Sequence, residues 1–188
     1  MIKLAIFASG SGSNAENIAQ YFKDDTNVDV SVIISNKKDA YVLERAKTLN
    51  IPTYTFNKKD FDDSDKIISL LEQYNIDYII LAGFLLKVSE KMVDKFSNRI
   101  INIHPALLPK YGGKGMYGDF VHNAVIEAKE KESGITIHYV NENYDEGSII
   151  FQATCKIDES DSASDLAKKI HKLEYEHFPR IIEEIAKK

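Results

Sequence analysis

The chain has 188 residues, enough for one domain with a sizeable core or for two small ones. Its 44% hydrophobic and 28% charged residues are the proportions of an ordinary soluble globular protein, and a formal charge of -5 gives no support to a nucleic-acid surface. A single cysteine, Cys155, excludes an internal disulfide and a cysteine-cluster metal site.

The first apolar run, KLAIFA (3–8), stops at a Gly/Ser cluster and reads as a buried strand. It is too short to span a membrane and lacks the layout of a signal peptide, so a cytoplasmic protein is expected. ENIAQYFK follows with helical spacing. Strands are then predicted at 29–35, 51–56, 77–83 and 99–104. Between them lie helical patterns in AYVLERAKTL, SDKIISLLEQY and SEKMVDKF. Strands alternating with helices of this length imply right-handed βαβ units and a mostly parallel sheet flanked by helices. After a helix in GDFVHNAVIEAKEK, the strands GITIHYV and GSIIFQATCKI are joined by NENYDE alone. That link is too short for a helical crossover, so the two form an antiparallel pair. SASDLAKKIHKLEYEHFPRIIEEIAKK closes the chain as helix, with Pro179 expected to divide it in two. The expected fold is a Rossmann-like open α/β sheet with an antiparallel C-terminal strand pair. It is read as a single domain over 1–188, with halves at about 1–100 and 101–188.

The loop SGSGSN (9–14) follows the first strand. Gly10 and Gly12 let the backbone turn tightly, and the amides of Ser13 and Asn14 at a helix start would face an anion. A plain turn, with Ser13 as N-cap and Glu16 completing a capping box, is the alternative. The second strand ends VIISNKK, without the acid that a dinucleotide ribose expects, and no Gly-Lys-Ser/Thr is present. A single phosphate ester fits better than a dinucleotide or nucleoside triphosphate.

RIINIHP carries the chemistry. Asn102 and His104 are two apart on a strand and share a face, while Ile101 and Ile103 point the other way. Pro105 favours an extended histidine and ends the strand. An amide NH2 and a protonated imidazole are two donors able to converge on a developing oxyanion, and His104 can move a proton near neutral pH. Asp145, in NENYDEGSII, is a candidate carboxylate partner that would favour the charged imidazole; a simple turn before Gly147 is the alternative. Cys155 reads as core.

The Gly-Ser-Asn loop, the AGF at 82–84, NIHPALLPKY and the Asp-x-Gly at 145–147 together resemble the phosphoribosylglycinamide formyltransferase family of folate-dependent enzymes, in collinear order over nearly the whole chain. The resemblance implies transfer of the formyl group of 10-formyltetrahydrofolate to the amine of 5-phosphoribosylglycinamide in purine synthesis, with no metal. It implies that Gly12, Ser13 and Asn14 hold the substrate phosphate and that Glu174 contacts the amino-sugar. Asn102, His104 and Asp145 match the catalytic trio. Leu85, Leu86, Lys87 and Val88, the backbone of Asn141, Glu142, Asn143, Tyr144 and Asp145, and Asn102 match the folate pocket. Small-molecule substrates, no nucleic acid, no membrane, and a monomer or homodimer are expected. The segment GGKGMYG (112–118) departs from the family pattern, as do LLKV at 85–88 and His171.

Related formyltransferases of methionyl-tRNA carry a further C-terminal domain and formyl-folate hydrolases a further N-terminal one, and neither is expected here. The remaining alternatives are a formyltransferase for another amino sugar or nucleotide, and a phosphate-binding module without catalysis.

Overall fold

The computed structural model describes residues 1–187, so the last residue of the predicted C-terminal helix, Lys188, lies outside the described residues. Strand β1 (Ile2–Phe7) leads into helix α1 (Ser13–Tyr21), followed by β2 (Val28–Ser35), α2 (Val42–Thr48) and β3 (Thr53–Thr55). Next come α3 (Lys58–Asp63), α4 (Asp65–Gln73), β4 (Tyr78–Leu81), α5 (Glu90–Lys95) and β5 (Ile100–His104). The chain ends with α6 (Asp119–Glu127), β6 (Glu132–Tyr139), β7 (Ile149–Lys156) and α7 (Ala163–Ala186).

The strands form one sheet in the order β3-β2-β1-β4-β5-β6-β7. The first five run parallel, while β6 is antiparallel to β5 and β7 antiparallel to β6. Alternation along the strands builds a core on each face. Leu4, Ile6, Ile80, Ile101 and Ile103 pack on one side, and Ala5, Phe7, Ile79, Leu81 and Ile100 on the other. Strand order reverses at β1 and β4, which opens a crevice beyond their carboxyl ends.

Four local expectations need correction. Helix α3 has no counterpart in the sequence reading. It begins with a reciprocal cap in which Asn57 accepts from the Asp60 N–H and Asp60 from the Asn57 N–H. The third strand shrinks to Thr53–Thr55 because it is a half-exposed sheet edge.

At α1 the alternative of a plain turn with a Ser13 capping box is not what forms. Gly12 is the cap in a left-handed conformation, φ 73°, with no side-chain cap bond, and Glu16 pairs with Arg45 instead. A Cβ at Gly12 would sit 2.3 Å from Val42 Cγ2, so this position takes only glycine.

Pro179 does not divide the C-terminal helix either, since α7 runs through it with Pro179 in the core. The missing proline N–H would have bonded the Tyr175 carbonyl; Asn17 Nδ2 donates to that oxygen at 3.0 Å. Asn17→Ala is therefore expected to cost about 0.5–1.5 kcal/mol in urea unfolding, the range of one ordinary hydrogen bond.

Candidate active site

Three chain segments converge on the crevice. The loop after β1 brings Gly10 to Asn14, the loop after β4 brings Ala82 to Leu85, and β5 brings Asn102 and His104. Residues 113–118, Tyr144, Asp145, His122, His171 and Glu174 close a cavity of about 590 Å³. That volume is in the range of pockets that enclose drug-sized ligands. Ser9 ties two of the segments together. Its N–H donates to the Gly83 carbonyl at 3.0 Å, and its hydroxyl accepts the Leu85 N–H at 2.9 Å and donates to Asn36 Oδ1 at 2.6 Å.

The start of α1 forms part of the cavity wall. The first intrahelical bond there is from the Glu16 N–H to the Gly12 carbonyl, and no side chain caps the turn. The preceding amides, with the helix dipole behind them, are free for an anion. Arg45 stiffens the loop by donating from Nε to the Ser11 carbonyl at 2.9 Å. Asn14 does not turn its amide toward an anion. Its Nδ2 donates to Glu174 Oε2 at 2.9 Å, an oxygen shared with His171 Nδ1 at 2.8 Å. That bond to Glu174 raises the pKa of His171, against the effect of its burial.

In the same wall, His104 is 3% exposed and Asp145 largely buried. The imidazole Nε2–H donates to the Tyr111 carbonyl at 2.7 Å, and since a carbonyl only accepts, the proton sits on Nε2. Nδ1 stands 3.6 Å from Asp145 Oδ2. The same Oδ2 accepts the Gly113 N–H at 2.9 Å. Asp145 adopts a left-handed backbone, φ 57°, which an Asp tolerates. Gly147 lies against the Tyr139 carbonyl so closely that a Cβ would be 1.7 Å from its oxygen.

Burial lowers the pKa of His104, and this exceeds the opposing influence of Asp145 and of the Tyr111 bond. Asp145 does favour the charged imidazole, as expected, but burial outweighs it and the net direction favours the neutral ring. Burial pushes the Asp145 carboxyl up, but His138, His104 and the Gly113 N–H together outweigh it and hold the pKa below the usual carboxylate range.

The sequence reading missed His138. It faces Asn102 across the β5–β6 ladder. Its Nδ1–H donates to the Tyr139 carbonyl at 2.8 Å, leaving Nε2 to accept from Asn102 Nδ2 at 3.1 Å. Nε2 also lies 3.7 Å from Asp145 Oδ1. The available signal was the one that singled out Asn102 and His104, since Thr136 and His138 are polar at alternate positions of an apolar strand. Thr136 has its own role. It donates to the Ala106 carbonyl at 2.7 Å and accepts the Leu108 N–H at 3.0 Å, fixing the loop after His104.

Of the residues expected to bind or react, Gly12, Ser13, Asn14, Leu85, Asn102, His104, Tyr144, Asp145 and Glu174 line the one cavity. Leu86, Lys87, Val88, Asn141, Glu142 and Asn143 flank the wall without lining it. Val88 is buried in the core behind the wall, and Lys87 is exposed. The divergent segment 113–118 lines the cavity, and its Lys114 is the fixed positive charge among the lining residues.

The sequence model of the formyl transferase family matches residues 2–182. The chain is 42% identical over 192 residues to a chloroplastic phosphoribosylglycinamide formyltransferase of Arabidopsis thaliana, covering 97% of this chain and 66% of that protein. It is 35% identical over 190 residues to the phosphoribosylglycinamide formyltransferase of Bacillus subtilis, covering 98% and 95%. The crystal structure of the phosphoribosylglycinamide formyltransferase from Anaplasma phagocytophilum superposes with a TM-score of 0.91 at 34% identity, over 99% of this chain and 87% of that one. The enzyme of the same name from Streptococcus pneumoniae gives 0.88 at 34% identity, over 98% and 99%. With a family match over almost its whole length and a bacterial relative of nearly the same extent, the chain belongs to the formyltransferase family.

Proposed function

We propose that this protein transfers the formyl group of 10-formyltetrahydrofolate to the amine of 5-phosphoribosylglycinamide, a step of purine synthesis. The observation that carries this reading is one cavity that holds both an anion seat and a reacting set. Uncapped helix amides and the Asn102, His104 and Asp145 set line the same cavity. A phosphorylated amine that bridges them has its anion and its nucleophile in matching places.

The phosphate rests on the amides of Gly12, Ser13 and Asn14, and Glu174 accepts from the sugar hydroxyls. Formyl-folate supplies an activated formyl carbon. Its ring system rests against Leu85, Tyr144 and Asp145 in the cavity wall, and the adjoining backbone of Leu86, Lys87 and Val88 and of Asn141, Glu142 and Asn143 holds these two stretches from behind and beside the wall. Leu85 and Tyr144 offer exposed apolar surface at the cavity for such a ring. Asn102 spends one Nδ2 hydrogen on His138 and directs the other at the formyl oxygen, where negative charge develops. As the amine nitrogen bonds to the formyl carbon, neutral His104 takes its proton on Nδ1, beside the Asp145 carboxylate that stabilises the resulting cation. The same proton then passes to the folate nitrogen as its bond to the formyl carbon breaks. No metal enters these steps. The phosphate end belongs to the N-terminal half, about residues 1–100, and the reacting groups to the remainder of a single domain. Among the described residues no helix is long and apolar enough to cross a membrane. We place the enzyme in the cytoplasm, as a monomer or homodimer working on small molecules.

A coupled absorbance assay with the amino-ribotide and formyl-folate tests the reading directly, and turnover is expected. Tight phosphate binding without turnover would favour a phosphate-binding module. Asn14→Asp would set a second carboxylate against Glu174 and near the phosphate. It is expected to raise KM for the amino-ribotide about tenfold or more, with KM for formyl-folate unchanged. Equal rises in both constants would remove Asn14 from the phosphate end.

A further inference from the structure

His122, on the first turn of α6, lines the cavity and is 3% exposed, yet among the described residues its ring has no hydrogen-bond partner. Nδ1 is fully buried and unpaired, whereas Nε2 is not closed off. Almost all buried polar side-chain groups in folded proteins are satisfied, so an imidazole without a partner in a cavity wall points to a ligand, and with Nδ1 closed off only Nε2 can meet it.

We propose that His122 positions the substrate by donating a hydrogen bond from Nε2 to the carbonyl oxygen of the glycinamide group. This rests on the formyl-transfer reading above and specifies which substrate atom the imidazole reads. Two features carry it. The first is the tautomer. A proton on Nδ1 would be a buried donor with no acceptor, which costs more than leaving it bare, so the proton sits on Nε2. The second is place. His122 lies among His104 on the reacting side and Glu174 and His171 on the sugar side, all lining one cavity. A substrate with its phosphate on the glycine loop and its amine at His104 runs past His122 with its amide. That amide has one strong acceptor, the carbonyl. Burial lowers the pKa of His122, followed by the effect of His171; Glu174 and Asp119 oppose these, and His104 adds to them. The net direction keeps the ring a neutral donor.

Steady-state kinetics of the full chain test the assignment. His122→Phe is expected to raise KM for the amino-ribotide about tenfold, the factor carried by ~1.4 kcal/mol, with KM for formyl-folate unchanged. His122→Gln, which keeps an N–H donor, is expected to recover most of the loss. The thioamide analogue of the amino-ribotide, whose sulfur is a poor acceptor, is expected to lose several-fold in wild type and nothing further in His122→Phe. Additive losses, an equal rise in KM for formyl-folate, or a His122→Gln variant as poor as His122→Phe would each overturn the proposal. If His122→Phe does not fold, the wild-type comparison of amide and thioamide decides: equal KM overturns the assignment, and a several-fold loss upholds it. No turnover by wild type on the natural amide would instead overturn the formyl-transfer reading, and this inference with it.

Discussion

His104→Ala is expected to lower kcat by about 10²- to 10⁴-fold, the usual contribution of a positioned acid–base group. The proton leaving the amine would then have no acceptor beside the reacting carbon. The fold should survive, because His104 makes a single hydrogen bond, to the Tyr111 carbonyl, and leaving that oxygen unpaired costs about 1–3 kcal/mol. Stopped assays over long times, with far-UV circular dichroism and a urea melt, separate lost chemistry from lost structure. An unchanged kcat in a folded variant would remove His104 from the mechanism. The pH dependence has a definite sign. Burial places the His104 pKa below its ordinary value of 6.5, and the base must be neutral to accept a proton. In wild type, kcat/KM should therefore rise with pH through a midpoint below 6.5 and then level off. A profile that falls across that window would mean that the reactive form is the imidazolium.

Asp145→Asn is the second large effect. Asparagine tolerates the left-handed backbone and nearly matches the shape, so the loop stays in place and only the charge is lost. The imidazolium formed during transfer then has no counter-ion, and kcat should fall by about 10²- to 10⁴-fold. A second signature separates this role from general damage. Asp145 raises the pKa of His104 against its burial. Without that charge the acidic limb of kcat/KM should move to lower pH. A lower kcat with an unmoved limb would show that Asp145 acts on something other than His104.

Much of this architecture was legible because the signals are local. The five parallel strands and their helices follow from apolar runs, their lengths and the turn residues between them. The shared face of Asn102 and His104 follows from the two-residue period of a strand, and the two cores bear this out by taking Ile101 and Ile103 on one side and Ile100 on the other. The antiparallel β6–β7 pair was fixed by the short connection between them. Helix α3 was not anticipated, although the spacing of Asn57 and Asp60 that forms its cap is a local signal.

Where the reading failed, the deciding group lay far away in sequence. Pro179 stays inside a helix because Asn17, on α1, bonds the carbonyl it frees. Glu16 pairs with Arg45 rather than completing the alternative Ser13 cap, and no side chain caps the helix start. His138 joins the site only because β6 lies antiparallel on β5 and sets it opposite Asn102.

The sequence by itself determined the alternating α/β order, the glycine turn after the first strand, and the amide and imidazole that share one face of a strand end. Period, spacing and residue type are properties of neighbours in the chain. Only the tertiary structure decided that burial pulls the His104 pKa down, that Asn14 serves Glu174, and that His122 waits unpaired in the cavity wall. Each depends on how much water burial removes and on which distant group takes the vacated hydrogen bond.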